Sequence, residues 1–177
     1  KTGSTNPAKF QYGIETTTEL EIKGSVDINP NNSFKEFSTL DFFDLFGVTK
    51  AQMQAGATHS YTASNFGAPV DGITWVEVPS GETLNVSGNL SGSGVLVING
   101  NTRFSGNVVF DGIIYVIGTL TMTGNVTTTG SVLAESSTTV DTTITGNVTI
   151  NYDTSEITAA LGPVAPLNKQ IVSWKSD

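Results

Sequence analysis

Glycine stands at Gly88, Gly94, Gly100, Gly106, Gly112, Gly118, Gly124 and Gly130, a six-residue spacing held through eight consecutive positions. A fixed period of this kind marks a repeat architecture, in which each unit buries its apolar side only by stacking on its neighbours. Glycine suits a corner in such a chain, because without a Cβ it accepts positive φ and lets another backbone come close. Two residues before these glycines stand Val86, Ile98, Phe104, Phe110, Val116 and Met122. Four residues before them stand Leu84, Leu90, Leu96, Val108, Ile114, Leu120 and Val126. Gly92, Thr102 and Thr128 are the exceptions in an otherwise apolar inward parity from Leu84 to Ala134. Alternation of period two is the signature of strands with one face inside.

A larger unit of eighteen residues contains the unit of six, seen in Ser87-Gly88-Asn89, Ser105-Gly106-Asn107 and Thr123-Gly124-Asn125, and again at Thr145-Gly146-Asn147 after a four-residue insertion. Three short strands per eighteen residues predict a three-sided β-solenoid, a parallel β-helix whose coils stack ~4.8 Å apart. One coil buries roughly six apolar side chains at ~1.5–3 kcal/mol each, against ~1–2 kcal/mol of backbone entropy for every ordered residue. Coils are therefore stable only as a stack. The phrase Leu20 to Ile28 matches Leu84 to Leu90 and Ile144 to Ile150, and Asp71 to Val76 matches Asp111 to Val116. The expected organisation is a single domain over 1–177, with a first coil at 10–30, a helical insertion and loop at 31–70, the main coils at 71–152 and a C-terminal cap at 153–177. The period predicts about five to six coils.

The insertion carries Phe34, Phe37, Leu40, Phe43 and Leu45 at three-to-four spacing. Ser33 and Glu36 have the capping-box spacing, and Thr49 suits the start of a second helix through Gly56. One or two helices are expected within 33–56, broken at Gly47. On one solenoid face the outward residues are apolar: Ile73, Trp75, Val95, Val97, Ile113, Tyr115, Ile117 and Leu133. A stripe of that size is an association site unless something covers it. The Phe-rich helices are the expected cover, because their own apolar face also needs a partner, and another protein is the alternative.

Sixteen acids against eight bases give a net charge of -8, and no Lys or Arg occurs between Phe104 and Asn168. This balance argues against nucleic acid and against anionic membrane. With no cysteine, disulfides, thiolate metal sites and cysteine nucleophiles are excluded. A lone His59 is too little for a histidine triad or a multi-histidine metal site. No pair of acids announces a glycosidase, and no enzyme, cofactor or metal site is expected. Asn89, Asn107, Asn125 and Asn147 predict an amide ladder at one corner, with calcium or sugar binding as the weaker alternative. Tyr61, Phe66 and Trp75 form either packing or a small aromatic recognition patch. Thr119, Thr121 and Thr123, with Thr143 and Thr145 expected to stack on them, give the Thr-x-Thr ranks of ice-binding solenoids over two coils only, since Arg103 and Ser105, then Asn85 and Ser87, hold the equivalent places in the preceding coils.

The run GSGVLVINGNTRFSGNVVFDGIIYVIGTLTMTGNVTTTGSVLAES, the phrase TGNVTINYD, the insertion LDFFDLFGVTKAQMQAGA and the ending IVSWKSD resemble the extracellular portion of PilX-type type IV pilus assembly proteins. The resemblance spans most of residues 10–177. It implies a non-enzymatic, minor-pilin-like head on the bacterial cell surface, supporting pilus assembly, adhesion or uptake. It also implies that the partners are other pilus or cell-surface proteins, and that membrane is met only through an N-terminal hydrophobic helix not present in this chain. The competing expectations are a secreted ice- or carbohydrate-binding solenoid and a bactofilin-like polymer.

Overall fold

The computed structural model describes residues 7–136 and 142–167. It is a β-solenoid of about seven turns with short helices packed on it. A 3-10 turn at Pro7–Lys9 leads into β1 (Ile14–Thr16), β2 (Leu20–Ile22), β3 (Ser25–Asn29) and the short β4 (Phe34–Lys35). Two helices come next, α1 (Phe42–Phe46) and α2 (Lys50–Ala55), then β5 (His59–Thr62), β6 (Ile73–Glu77), β7 (Thr83–Val86), β8 (Asn89–Asn99) and β9 (Asn101–Phe104). The chain continues through β10 (Asn107–Ile117), β11 (Leu120–Met122), β12 (Asn125–Glu135), β13 (Thr142–Ile144) and β14 (Asn147–Tyr152) to α3 (Thr154–Leu161).

Every strand pairing is parallel, so identical corners lie over one another. The eleven-residue strands β8, β10 and β12 bend in the middle and serve two faces. Face one holds β3, β14 and the first halves of β12, β10 and β8. Face two holds β5, β6, the second halves of β8, β10 and β12, then β1 and β4. Face three runs β7, β9, β11, β13, β2. The bend between faces one and two requires glycine. At Gly112, φ is +131°, and a Cβ there would lie 2.1 Å from the Gly94 carbonyl oxygen. No side chain fits that approach, which explains the unbroken column Gly94, Gly112, Gly130.

The order of the coils differs from their order in the sequence. The first coil does not adjoin the coil at 73–86; it closes the far end of the stack. Ile14 is registered with Val132, Ile22 with Ile144 and Val26 with Val148. Backbone bonds from Val132 N–H to Gly13 O (2.8 Å) and from Lys23 N–H to Ile144 O (2.8 Å) join the two coils. The Ser131 hydroxyl also donates to Tyr12 O at 2.7 Å. The echo between 20–28 and 144–150 is therefore a contact as well as a likeness. From β4 the chain crosses face two through α1 and α2 to reach β5 at the opposite end, then winds back coil by coil. The strands β4 and β5 add partial turns outside the eighteen-residue pattern, which raises the count above five to six.

The insertion is also less helical than its spacing suggests. Ser33 caps no helix: Phe34 lies in β4 and packs against the end of the core, and Phe37 sits at φ +52° and is 69% exposed. Burying Phe34 over the open end of the coil outweighs a local capping pattern. The helix starts at Asp41, whose side chain accepts from Asp44 N–H, and ends at Gly47 with φ +77°. Thr49 does begin the second helix, with a complete capping box to Gln52. The C-terminal region contributes α3, capped by Asp153. Hydrogen bonds from the Ser155 hydroxyl and the Glu156 amide hold the Asp153 carboxyl below the usual range. The four-residue insertion near 137–141 and the phrase IVSWKSD lie outside the described residues.

Inside the triangle, side chains form columns of matched size. On face one the column runs Gly92, Phe110, Thr128, Ile150, Ile28. The Phe110 ring is fully buried because its two neighbours in the column are small, and Val70 fills the space over Gly92. Thr128 is itself buried, and its hydroxyl has no partner. A buried hydroxyl without a hydrogen bond costs free energy that an isosteric methyl does not. Thr128→Val is expected to raise stability by about 1 kcal/mol, read as a higher urea midpoint with an unchanged denaturant slope.

Candidate functional site

The solenoid has three outer surfaces, and parity in the sequence determines the character of each. On face two, strands β6, β8, β10 and β12 place Trp75, Val97, Tyr115 and Leu133 in one column and Ile73, Val95 and Ile113 in the next. All seven are at most 2% exposed, and Ile117 at the rim is half-buried. They lie beneath Phe42, Leu45 and Phe46 of α1, Val48, Met53 of α2, and Phe10. Ile157, Ala160 and Leu161 of α3 and the adjoining Val164 complete the cover. The Tyr115 ring meets Phe42 edge-on at 5.1 Å and Phe46 at 5.8 Å, a geometry favoured by the ring quadrupoles.

Helix α3 is the part of this cover that the expected organisation lacks. Asp153 three residues before Glu156, with Ile157, Ala160, Leu161 and Val164 at helical spacing, is the signal that identifies it.

Charged groups fasten the cover at the corner between faces two and three. The Tyr115 hydroxyl donates to Glu135 Oε1 at 2.5 Å, and Lys50 Nζ donates to Glu135 Oε2 at 2.9 Å. Toward the other end, Glu77 accepts from Trp75 Nε1 (2.9 Å), from Asn99 Nδ2 (2.8 Å) and from Gln54 Nε2 (3.4 Å). Helix α2 is thereby tied at both ends to acids of the corner. Burial pushes the Tyr115 hydroxyl well above its ordinary range, helped by its hydrogen bond to Glu135 and the nearby charge of that residue. Trp75, being buried here, is not part of an aromatic patch with Tyr61 and Phe66. Those two meet edge-on at 5.7 Å and pack over the β5 end of the core. Close by, His59 Nε2 lies 2.7 Å from Asp71 Oδ1.

Faces one and three are open and polar. On face one, Asn107 Nδ2 donates to Asn89 Oδ1 (2.9 Å), Asn125 to Asn107 (3.0 Å) and Asn147 to Asn125 (3.2 Å). Each inner amide gives and accepts within the ladder, so its carbonyl oxygen is already engaged. Beside the ladder runs the column Ser91, Val109, Thr127, Thr149, Asp27, with Val109 51% exposed. On face three the outward column is Asn85, Arg103, Thr121, Thr143, Glu21. Thr121 and Thr143 do stack, and charged residues bound the pair on both sides.

A groove of about 280 Å³ lies at the β5 end, between residues 63–68 and the strand edge from Leu84 to Ser91. It falls below the ~300–1,000 Å³ typical of small-molecule sites, and its lining carries no charged side chain. Among the described residues no three of His, Asp and Glu come together as a metal site. No helix among them is long and apolar enough to cross a membrane. Compared with known proteins, the chain matches no family, no curated protein and no solved structure.

The alkaline behaviour of Tyr115 tests the fastening of the cover. A hydroxyl whose ionisation is raised on folding stabilises the fold below the ordinary tyrosine value near 10, and that contribution is lost as pH rises beyond it. Tyr115→Phe is expected to cost about 1–2 kcal/mol at pH 7. Urea titrations of the two proteins should converge as the pH is raised above about 10.

Proposed function

We propose that this chain is a non-enzymatic structural and interaction module of the bacterial cell surface, the head of a type IV pilus-associated minor pilin. The observation that carries this proposal is the internal closure of face two. The large apolar surface of face two is sealed by helices of the same chain, and the outward columns of faces one and three are mostly polar, with Arg103, Glu21 and Asp27 among them and Val109 the apolar exception. Such a body suits display and support, with its polar faces compatible with exposure to water. The resemblance of the glycine-repeat run and of LDFFDLFGVTKAQMQAGA to PilX-type proteins adds the pilus to that general role.

The proposal is tested on the native protein. Sheared surface fractions of the producing cells should contain a longer chain, with a hydrophobic N-terminal helix ahead of the head, identified by N-terminal sequencing and intact mass. Recovery only as a freely soluble protein beginning near Lys1 would overturn the pilin assignment.

A second function, secreted binding to ice or carbohydrate, is favoured by one feature. The face-one column Ser91, Val109, Thr127, Thr149, Asp27 is in register and free of Lys and Arg. The soluble head would then show thermal hysteresis at an ice boundary, and a freezing curve identical to that of an inert protein would retire the ice branch. End-to-end polymerisation is disfavoured by shape: β4 and β5 each add a strand to face two alone, so the ends of two copies cannot join all three sheets.

A further inference from the structure

The corner column between faces three and one contains Gly88, Gly106, Gly124 and Gly146. Three of these glycines are compulsory. A Cβ on Gly106 would lie 2.1 Å from Gly88 O, one on Gly124 2.2 Å from Gly106 O, and one on Gly146 2.3 Å from Gly124 O. Each Cβ would point toward the β5 end of the stack. Gly88, the last in the column, meets nothing within 4 Å, and its φ lies outside the left-handed region. Neither space nor backbone conformation demands a glycine there within this chain.

The surroundings of Gly88 are those of an unfilled coil position. Among the described residues no strand pairs with the outer edge of β7 or of Asn89–Ser91. The amide ladder ends at Asn89, whose Oδ1 accepts from Asn107 while its Nδ2 is directed to no described partner. Beside the edge lies the uncharged groove whose lining includes Phe66, Leu84, Val86 and Leu90. Unpaired strand edges flanked by apolar positions are where an extended segment adds to a sheet.

We propose that this edge receives a strand–glycine–strand segment of a partner subunit, uncharged and carrying a Ser/Thr-Gly-Asn corner, which continues faces three and one by one coil. Continuity with the ladder argues for that chemistry: the segment repeats what β9 and β10 already do against β7 and β8. The extra strand β5 on face two excludes a second whole copy from this position and leaves room for a segment that covers only the other two faces. The inference is independent of the pilus assignment.

The probe is the acetylated, amidated peptide of residues 119–130, TLTMTGNVTTTG, which carries such a corner. Added in millimolar amounts to the isotope-labelled full chain, it should shift and protect from exchange the amides of residues 83–91. Gly88→Ala should leave the urea midpoint unchanged and abolish those shifts, because its methyl occupies the place of the incoming corner carbonyl. Gly106→Ala, by contrast, should destabilise the fold. Absence of shifts at 83–91, or equal shifts in the wild type and Gly88→Ala, would overturn the proposal and leave Gly88 as a relic of the repeat. Concentration-dependent self-association of the chain alone, lost in Gly88→Ala, would overturn the choice of occupant.

Discussion

Backbone-on-backbone contact at the corners is the constraint on which everything else rests. Where Gly106, Gly124 and Gly130 pass over Gly88, Gly106 and Gly112, a Cβ would lie between 1.9 and 2.2 Å from a carbonyl oxygen, so only glycine lets one coil settle on the next. That approach fixes the register. With the register fixed, inward parity fills the triangle and outward parity assigns each face its character, with no further instruction from the sequence. A one-residue slip would exchange the core column Leu96, Ile114, Val132 for the outer column Val97, Tyr115, Leu133, and both are apolar. The corner glycines therefore discriminate between registers that hydrophobicity alone would leave close in energy on face two.

An apolar outer surface gives face two a second layer. Two clusters of buried side chains result, one inside the triangle and one between the solenoid and its helices, and Tyr115 belongs to the second. The short α1 and α2 have too few residues to be stable as isolated helices, and their order derives from that packing. Lys50 and Gln54 then fix where α2 lies by reaching the acids at either end of the corner.

The parts of this structure that were legible in the sequence are those governed by local period. Parity with the eighteen-residue period puts Val97, Tyr115 and Leu133 in one column, the echo of Asp71 to Val76 in Asp111 to Val116 adds Trp75, and the triplets around Gly88, Gly106, Gly124 and Gly146 place the asparagine ladder. The position of the first coil was not legible, because Leu20 to Ile28 has the same alternation as any other coil. Which edge it closes depends on which edge is free and on the path of residues 36–58. The Ser33–Glu36 spacing misleads for a related reason: the end of the core needs Phe34 in a strand, and that requirement comes from outside the segment. Helix α3 was legible in principle from Asp153 and its apolar spacing. Surface function has the weakest imprint, because Asn and Thr on an open face serve stacking, solvation and ligand contact with the same side chains.

The docking of the first coil on the last also governs how the chain reaches its native state. During synthesis β1, β2 and β3 emerge first, yet the strands they pair with, β12, β13 and β14, emerge more than a hundred residues later. The sheet edges of residues 14–29 must wait unpaired while the rest of the solenoid is made, and the long loop closure that then joins them is a slow step with aggregation-prone intermediates. Once closed, the arrangement works in the opposite direction. The last coil is held between two neighbours, so β12, β13 and β14 cannot peel away without breaking the ladders to the first coil as well as those to the coils before them.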